Sequence, residues 1–308
     1  MKWIFLFFLF IPRIIFPAVY GVDNRIHLNE YRDEHIKSLG SSTAAMIYHK
    51  KFVEEDESTV SIEGGSLELE KHVCQGERFS QRFTAAKCSG LLVSDRHILT
   101  AGHCVKKDRH CQTFKWVFDF TEEHFTNKVF DGYNPYSIVK VSLPKQNVFH
   151  CKKIISRSFD KKTKLDYALI ELDRPVPNRT PLKLSQNSEL TEDQEFIMIG
   201  HPSGLTTKIT EEGYLLKKEN NNPNIFQTNL DAFHGNSGSP VINKKTGLVE
   251  GLLIRGENDY VGNYCKKVKV CDEESDCRGE DVLKMSRLLK FIKLDKKNKG
   301  SHDFLFQL

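Results

Sequence analysis

Gly235-Asn236-Ser237-Gly238-Ser239-Pro240 runs directly into the apolar pair Val241-Ile242. A hydroxyl set between glycines at the mouth of a β-type run suits acyl transfer. The reaction needs a projecting nucleophile, with backbone N–H groups beside it for the negative oxygen that forms. Glycine allows the main-chain dihedrals that turn those N–H groups inward. Gly-Ser turns are common at strand starts, so the hexapeptide needs partners elsewhere in the chain. Outward from it, short β-type runs recur between turn formers: Gly90–Val93, Ile98-Leu99, Phe114–Phe118, Ile138–Val141, Tyr167–Leu172, Phe196–Ile199 and Val249–Ile254. Runs of this length, many of them alternating, predict an all-β barrel or sandwich. From Asp281 to Lys293 the pattern changes. Val282, Met285, Leu288, Leu289 and Ile292 fall at helical steps with Lys and Arg on other faces, which predicts an amphipathic C-terminal helix over 281–293 that packs against the sheets.

Two further segments carry the chemistry that a serine requires. Thr100-Ala101-Gly102-His103-Cys104 closes an apolar run with an imidazole, the base best suited to take a hydroxyl proton near neutral pH. A Cys88–Cys104 bridge would clamp the loop carrying His103. Leu165-Asp166-Tyr167-Ala168-Leu169-Ile170 opens a strand with a carboxylate, which can accept the other imidazole N–H and set its tautomer. Asp173, the nearest rival, sits in a Leu-Asp-Arg-Pro context that reads as a turn with a surface ion pair.

Composition narrows the remaining classes. The chain has 308 residues, with 45 Lys+Arg against 41 Asp+Glu, a formal charge of +4 that is too small for a nucleic-acid polycation. Residues 1–18 combine Lys2, an apolar run interrupted by Pro12-Arg13, and a small-residue exit near 18–21, as a secretory signal does. The interruption leaves no stretch long enough to span a bilayer, and no later segment supplies one. Export to an extracellular or periplasmic compartment makes disulfides the default for the 8 Cys. The His103-Cys104 and His110-Cys111 pairs and the evenly spaced Cys265, Cys271 and Cys277 therefore read as cystine partners, and no metal or cofactor is expected. Cys111 with Cys151, and Cys265 with Cys271 or Cys277, are the further pairings considered. Asn178-Arg179-Thr180 is a glycosylation sequon if the host is eukaryotic. Residues 22–70, polar and acidic at Glu54–Glu57, read as a solvated loop or as an exposed segment near an N-terminal strand.

The order His103, Asp166, Ser237, in the contexts T-A-G-H-C, D-Y-A-L-I and G-N-S-G-S-P, resembles the chymotrypsin/trypsin clan of serine endopeptidases over roughly residues 74–293. Gly-Asn-Ser-Gly-Ser-Pro-Val and Gly200-His201-Pro202-Ser203-Gly204 are closer to its glutamyl-endopeptidase-like, largely bacterial branch. Val19–Arg25 is similar to the mature start of that branch, which makes 22–70 part of the domain. The resemblance implies two six-stranded antiparallel β-barrels, over roughly 19–175 and 176–280, with the cleft between them. It implies His103, Asp166 and Ser237 as the triad and the N–H groups of Gly235 and Ser237 as the oxyanion hole. His234, Arg255 and Gly256 would line the substrate groove, Gly256 at the strand edge that pairs with substrate backbone.

The implied partner is a protein or peptide substrate, cut by a monomer. Asp231 stands where the clan places the base of its primary pocket, which favours cleavage after Arg or Lys, with Arg255 able to neutralise it from the opposite strand. Phe233 replaces a bridging Cys. The acidic alternative lacks the His that the glutamyl branch carries where this chain has Leu253. Asn236 replaces the Asp that trypsin-like zymogens use on activation, and is expected to hold its loop by neutral hydrogen bonds. The alternative function is a catalytically silent homologue that binds or regulates.

Overall fold

The computed structural model describes residues 19–125, 138–187, 189–216, 222–271 and 278–292. Residues 1–18, read above as a secretory signal, and Cys277 lie outside them. The chain adopts the all-β, trypsin-like two-barrel fold.

In the first barrel six antiparallel strands close in the order Val148–Phe159, Asp166–Leu172, His97–Thr100, Ala86–Leu92, Thr43–Tyr48 and Phe114–Phe118, the last pairing back onto Val148–Phe159. Every residue of Asp166–Leu172 is buried, although a half-exposed strand would alternate. The cause is burial on two fronts. Ala168, Ile170 and Leu172 point into the barrel with Leu92, Ile98, Trp116 and Phe149, whereas Tyr167 and Leu169 join Leu91 and Leu99 in a second core. That second core also contains Ile197, Ile199, Ile209 and Leu252 of the C-terminal half. It is the apolar seam between the barrels, and it fixes the position of one set of loops against the other.

In the second half, six strands follow the order Ile225–Thr228, Glu280–Lys284, Val249–Arg255, Pro240–Asn243, Phe196–Gly200 and Lys208–Gly213. A bridge between Leu215 and Thr228 returns the path from the last of these to the first. Ile26–His27 adds a seventh strand beside Lys208–Gly213. The N-terminal segment thus belongs partly to the second barrel, which the boundary drawn at 175/176 did not anticipate.

Two expectations are corrected here. The segment 22–70 is not a solvated loop: Thr43–Tyr48 is a barrel strand, and Thr59–Ser66 is central to a four-stranded side sheet with Val139–Pro144 and Phe52–Glu54. Its acidic run Glu54–Glu57 lies at the end of the edge strand Phe52–Glu54 and in the turn after it, while Ala44, Ile47, Val60 and Ile62 are buried. The C-terminal helix covers only Met285–Leu288, because Glu280–Lys284 is a strand between two neighbours. Val282 and Leu283 face different cores, a period of two that the helical spacing had masked.

Candidate active site

His103 leaves the strand His97–Thr100 through Gly102, whose missing Cβ is needed. A methyl there would overlap the carbonyl oxygen of Ser158 and approach that of Tyr167 to 2.7 Å. The loop is therefore pressed onto the two strands beside it, and the Cys88–Cys104 disulfide locks it from behind. Asp166, buried at the start of its strand, receives His103 twice. The backbone N–H donates to Oδ1 at 2.8 Å, and Nδ1 lies 2.7 Å from Oδ2. With Nδ1 donating, the free Nε2 is left as the basic nitrogen. The Phe159 ring leans against the imidazole with centroids 6.0 Å apart.

Ser237 reaches the same place from the second barrel. Its carbonyl oxygen accepts from the Ser89 N–H at 2.9 Å, and the Cys104 Sγ lies 3.8 Å from that oxygen. Ser89 Oγ donates to the Gly235 carbonyl at 2.8 Å and accepts from the His201 N–H at 3.0 Å. One serine, adjacent to the cystine that clamps His103, thus ties down both sides of the loop carrying Ser237. Gly235 and Gly238 have φ of 105° and 88°, dihedrals that favour glycine. Among the described residues, the N–H groups of Gly235 and Ser237 have no acceptor. Asn236 departs from expectation: it is buried, and neither amide atom has a partner among the described residues. Backbone bonds from Asn236 N to Phe233 O and from Gly238 N to Leu253 O hold the loop instead.

The residues expected to read the substrate are placed less uniformly. Arg255 is exposed and lines a cavity of about 390 Å³ with His103, Lys106, Phe159 and Lys164. Asp231 is buried and committed to the N-terminal segment: Oδ1 accepts from Tyr20 N at 2.8 Å and Oδ2 from Asn24 N at 3.1 Å. Burial pushes its carboxyl up to about 7 against the pull of those amides. The charges acting on it are Asp23 and Arg25, so the expected neutralisation by Arg255 is not what the structure shows. Arg25 is fully buried, paired with Asp23 and stacked 3.8 Å over Phe233, a cation–π anchor at the residue that stands in for the clan's bridging Cys.

His234 is largely exposed beside the loop, with its N–H and Nδ1 both on the buried Asp259 at 3.0 and 2.7 Å. That hydrogen bond and charge raise its pKa. Asp259 gave no sequence signal, since 25 residues separate the pair. Glu280 and Ser89 were also missed. Glu280 Oε2 sits where a Cβ on Gly256 would lie.

Of the cysteines, Cys111 pairs with Cys151 as considered, but Cys265 pairs with Cys74 rather than with a near neighbour. The fold brings 74 and 265 together across 191 residues, which local spacing could not reveal. Cys88, His103 and Cys104 offer ligand atoms within 4.8 Å of one another, yet both sulfurs are committed to the disulfide and are not thiolates.

Comparison with known proteins places this arrangement. Residues 88–252, just over half of the chain, match the trypsin-like peptidase domain. The chain belongs to the trypsin-like peptidase family. Among solved structures, a Glu endopeptidase shares 14% identity at a TM-score of 0.51, over 89% of this chain and 97% of that one. Human heparin binding protein shares 13% at 0.47, over 82% and 91%. An inactivated protease paralogue of the scabies mite shares 12% at 0.48, over 82% and 91%. No curated protein matches the chain at the sequence level.

Proposed function

We propose that this trypsin-like chain is an exported serine endopeptidase that cuts proteins or peptides through an acyl-enzyme. The observation that carries the reading is the double attachment of His103 to Asp166, on a loop bridged to the strand that anchors Ser237. Ser237 Oγ attacks the peptide carbonyl as His103 Nε2 takes its proton, and the same nitrogen then protonates the leaving amine. Asp166 keeps Nδ1 protonated and stabilises the imidazolium. The free N–H groups of Gly235 and Ser237 would receive the oxyanion. Water then repeats the sequence to release the acid and restore Ser237.

Cystines on both sides of the cleft fit an oxidising compartment. Among the described residues no helix is long and apolar enough to cross a membrane. The enzyme is proposed to act as a monomer, after Lys or Arg.

Labelling by a fluorophosphonate tests the chemistry. The mature protein should be labelled, and Ser237→Ala and His103→Ala should abolish it. An unlabelled wild-type protein would leave the silent-homologue alternative in its place.

A further inference from the structure

Glu280 opens the strand beside Val249–Arg255, where Asp281 pairs with Arg255, so its carboxyl lies directly behind Gly256. It is fully buried. Oε1 accepts a long hydrogen bond, 3.4 Å, from Glu257 N, and Oε2 has no partner among the described residues. Glu257, also buried, has an unpartnered Oε1 of its own. Two cations act on this pair: Arg278 gives its guanidinium to Asp281, and the buried Lys269 sets its charge against Glu257. Two carboxylates with open acceptors therefore flank the glycine that the resemblance places along the substrate backbone. Buried carboxyl oxygens are seldom left open, and burial, with Asp259 and Glu257 nearby, pushes the Glu280 carboxyl well up, so an entering cation is the group that would hold it ionised. Asp231, in contrast, has both oxygens taken by backbone amides.

We propose that Glu280, and not Asp231, is the acceptor for the basic side chain of the residue before the scissile bond. The ammonium or guanidinium would enter beside Gly256 and meet Glu280 Oε2, with Glu257 adding charge behind it. Gly256 is then required twice, by the substrate backbone passing it and by the carboxyl occupying its Cβ position. This assignment rests on the endopeptidase reading, deepens it to the residue that selects the proposed Lys or Arg, and moves the selecting charge to another strand.

The test separates pocket from chemistry. Binding of p-aminobenzamidine, an aromatic cation, is followed by fluorescence on the mature protein, which requires no turnover. Peptides with Lys, Arg, norleucine or Glu before the bond are then compared by kcat/KM, and fluorophosphonate labelling reports the triad alone. Wild-type protein should bind the amidine and prefer Lys and Arg to norleucine. Glu280→Gln should weaken both on the order of a hundredfold, as truncation of a buried charge pair does, while labelling is unchanged. Asp231→Asn should keep the preference.

If Glu280→Gln fails to fold, Glu280→Asp serves: it keeps the charge, shortens the reach, and should weaken the amidine about tenfold while lysine still beats norleucine. Undiminished amidine binding by folded Glu280→Gln, loss of the preference in folded Asp231→Asn, or a wild-type preference for Glu would each overturn the assignment. A wild-type protein that binds the amidine but resists labelling would sink the endopeptidase reading and leave the cation pocket standing.

Discussion

Replacing Gly238 by Ala probes whether the loop carrying Ser237 is seated by close packing on the first barrel. The methyl group would overlap the Ser89 carbonyl and Thr100 Oγ1 and come within 3.0 Å of Ala101 N, and the backbone there has φ of 88°. A left-handed alanine costs about 1–2 kcal/mol. Overpacking against backbone atoms, which have no rotamer to relax into, adds about 1–3 kcal/mol. The sum, about 2–5 kcal/mol, is a large share of the stability of a typical domain and lowers Tm on the order of 10 °C.

The displacement also has a direction. Ser237 is held by its carbonyl on Ser89 N at 2.9 Å, so pushing residue 238 away from Ser89 carries the hydroxyl away from His103. Fluorophosphonate labelling should slow even at temperatures where the variant is folded. Gly247→Ala is the control. Its φ is 70°, but its nearest neighbour is the ring end of His35, at 2.8 Å, so it should lose only the backbone term and label normally. If the Gly238→Ala protein melts with this control and labels at the wild-type rate, close packing does not seat the loop.

Asp166→Asn should slow labelling by roughly 10⁴ with little change in Tm, the size that the chymotrypsin template shows for loss of the correct imidazole tautomer. Removing the Cys74–Cys265 bridge, with a separation of 191 residues, should cost about 5 kcal/mol in denaturant unfolding on chain-entropy grounds, against about 3 kcal/mol for Cys88–Cys104, with a separation of 16. Equal losses would contradict the chain-entropy account.

Stability should also vary with pH in two windows. Asp231 has its pKa raised from 3.8 to about 7 in the folded state, so its contribution is full below pH 4 and is lost as pH rises to about 7. Lys208, fully buried, is lowered from 10.5 to about 7, so stability recovers between pH 7 and 10.5, where the folded chain has given up the proton that the unfolded chain still holds. Each window is worth at most about 4–5 kcal/mol. His27 and His201, lowered by burial to about 3, push the other way below pH 6.5, so the windows are read by difference: in denaturation from pH 4.5 to 9.5, Asp231→Asn should remove the acid-side fall and Lys208→Met the alkaline-side rise relative to wild type.

Much of the architecture was legible because strand runs and turn formers are local. Each of the seven β-type runs falls within or overlaps an observed strand, from Ala86–Leu92 to Val249–Arg255. The failures have separate causes. Asp281–Lys284 satisfies both periods, and only pairing with two neighbouring strands selects the extended form. Thr43–Tyr48 looked loop-like because acidic and glycine-rich flanks diluted its apolar run.

The sequence by itself determined which groups are chemically competent: a glycine-flanked hydroxyl, an imidazole at a strand end, a carboxylate at a strand start, and cysteines for cross-linking. These follow from residue type and near-neighbour spacing. Only the tertiary structure decided which acceptors are already taken. Asp231 is occupied by amides from the N-terminal segment, Cys74 reaches Cys265 from the other barrel, and Glu280 is left open behind Gly256. Satisfying a buried polar group depends on whatever the fold places within hydrogen-bond reach, and that partner can lie anywhere along the chain.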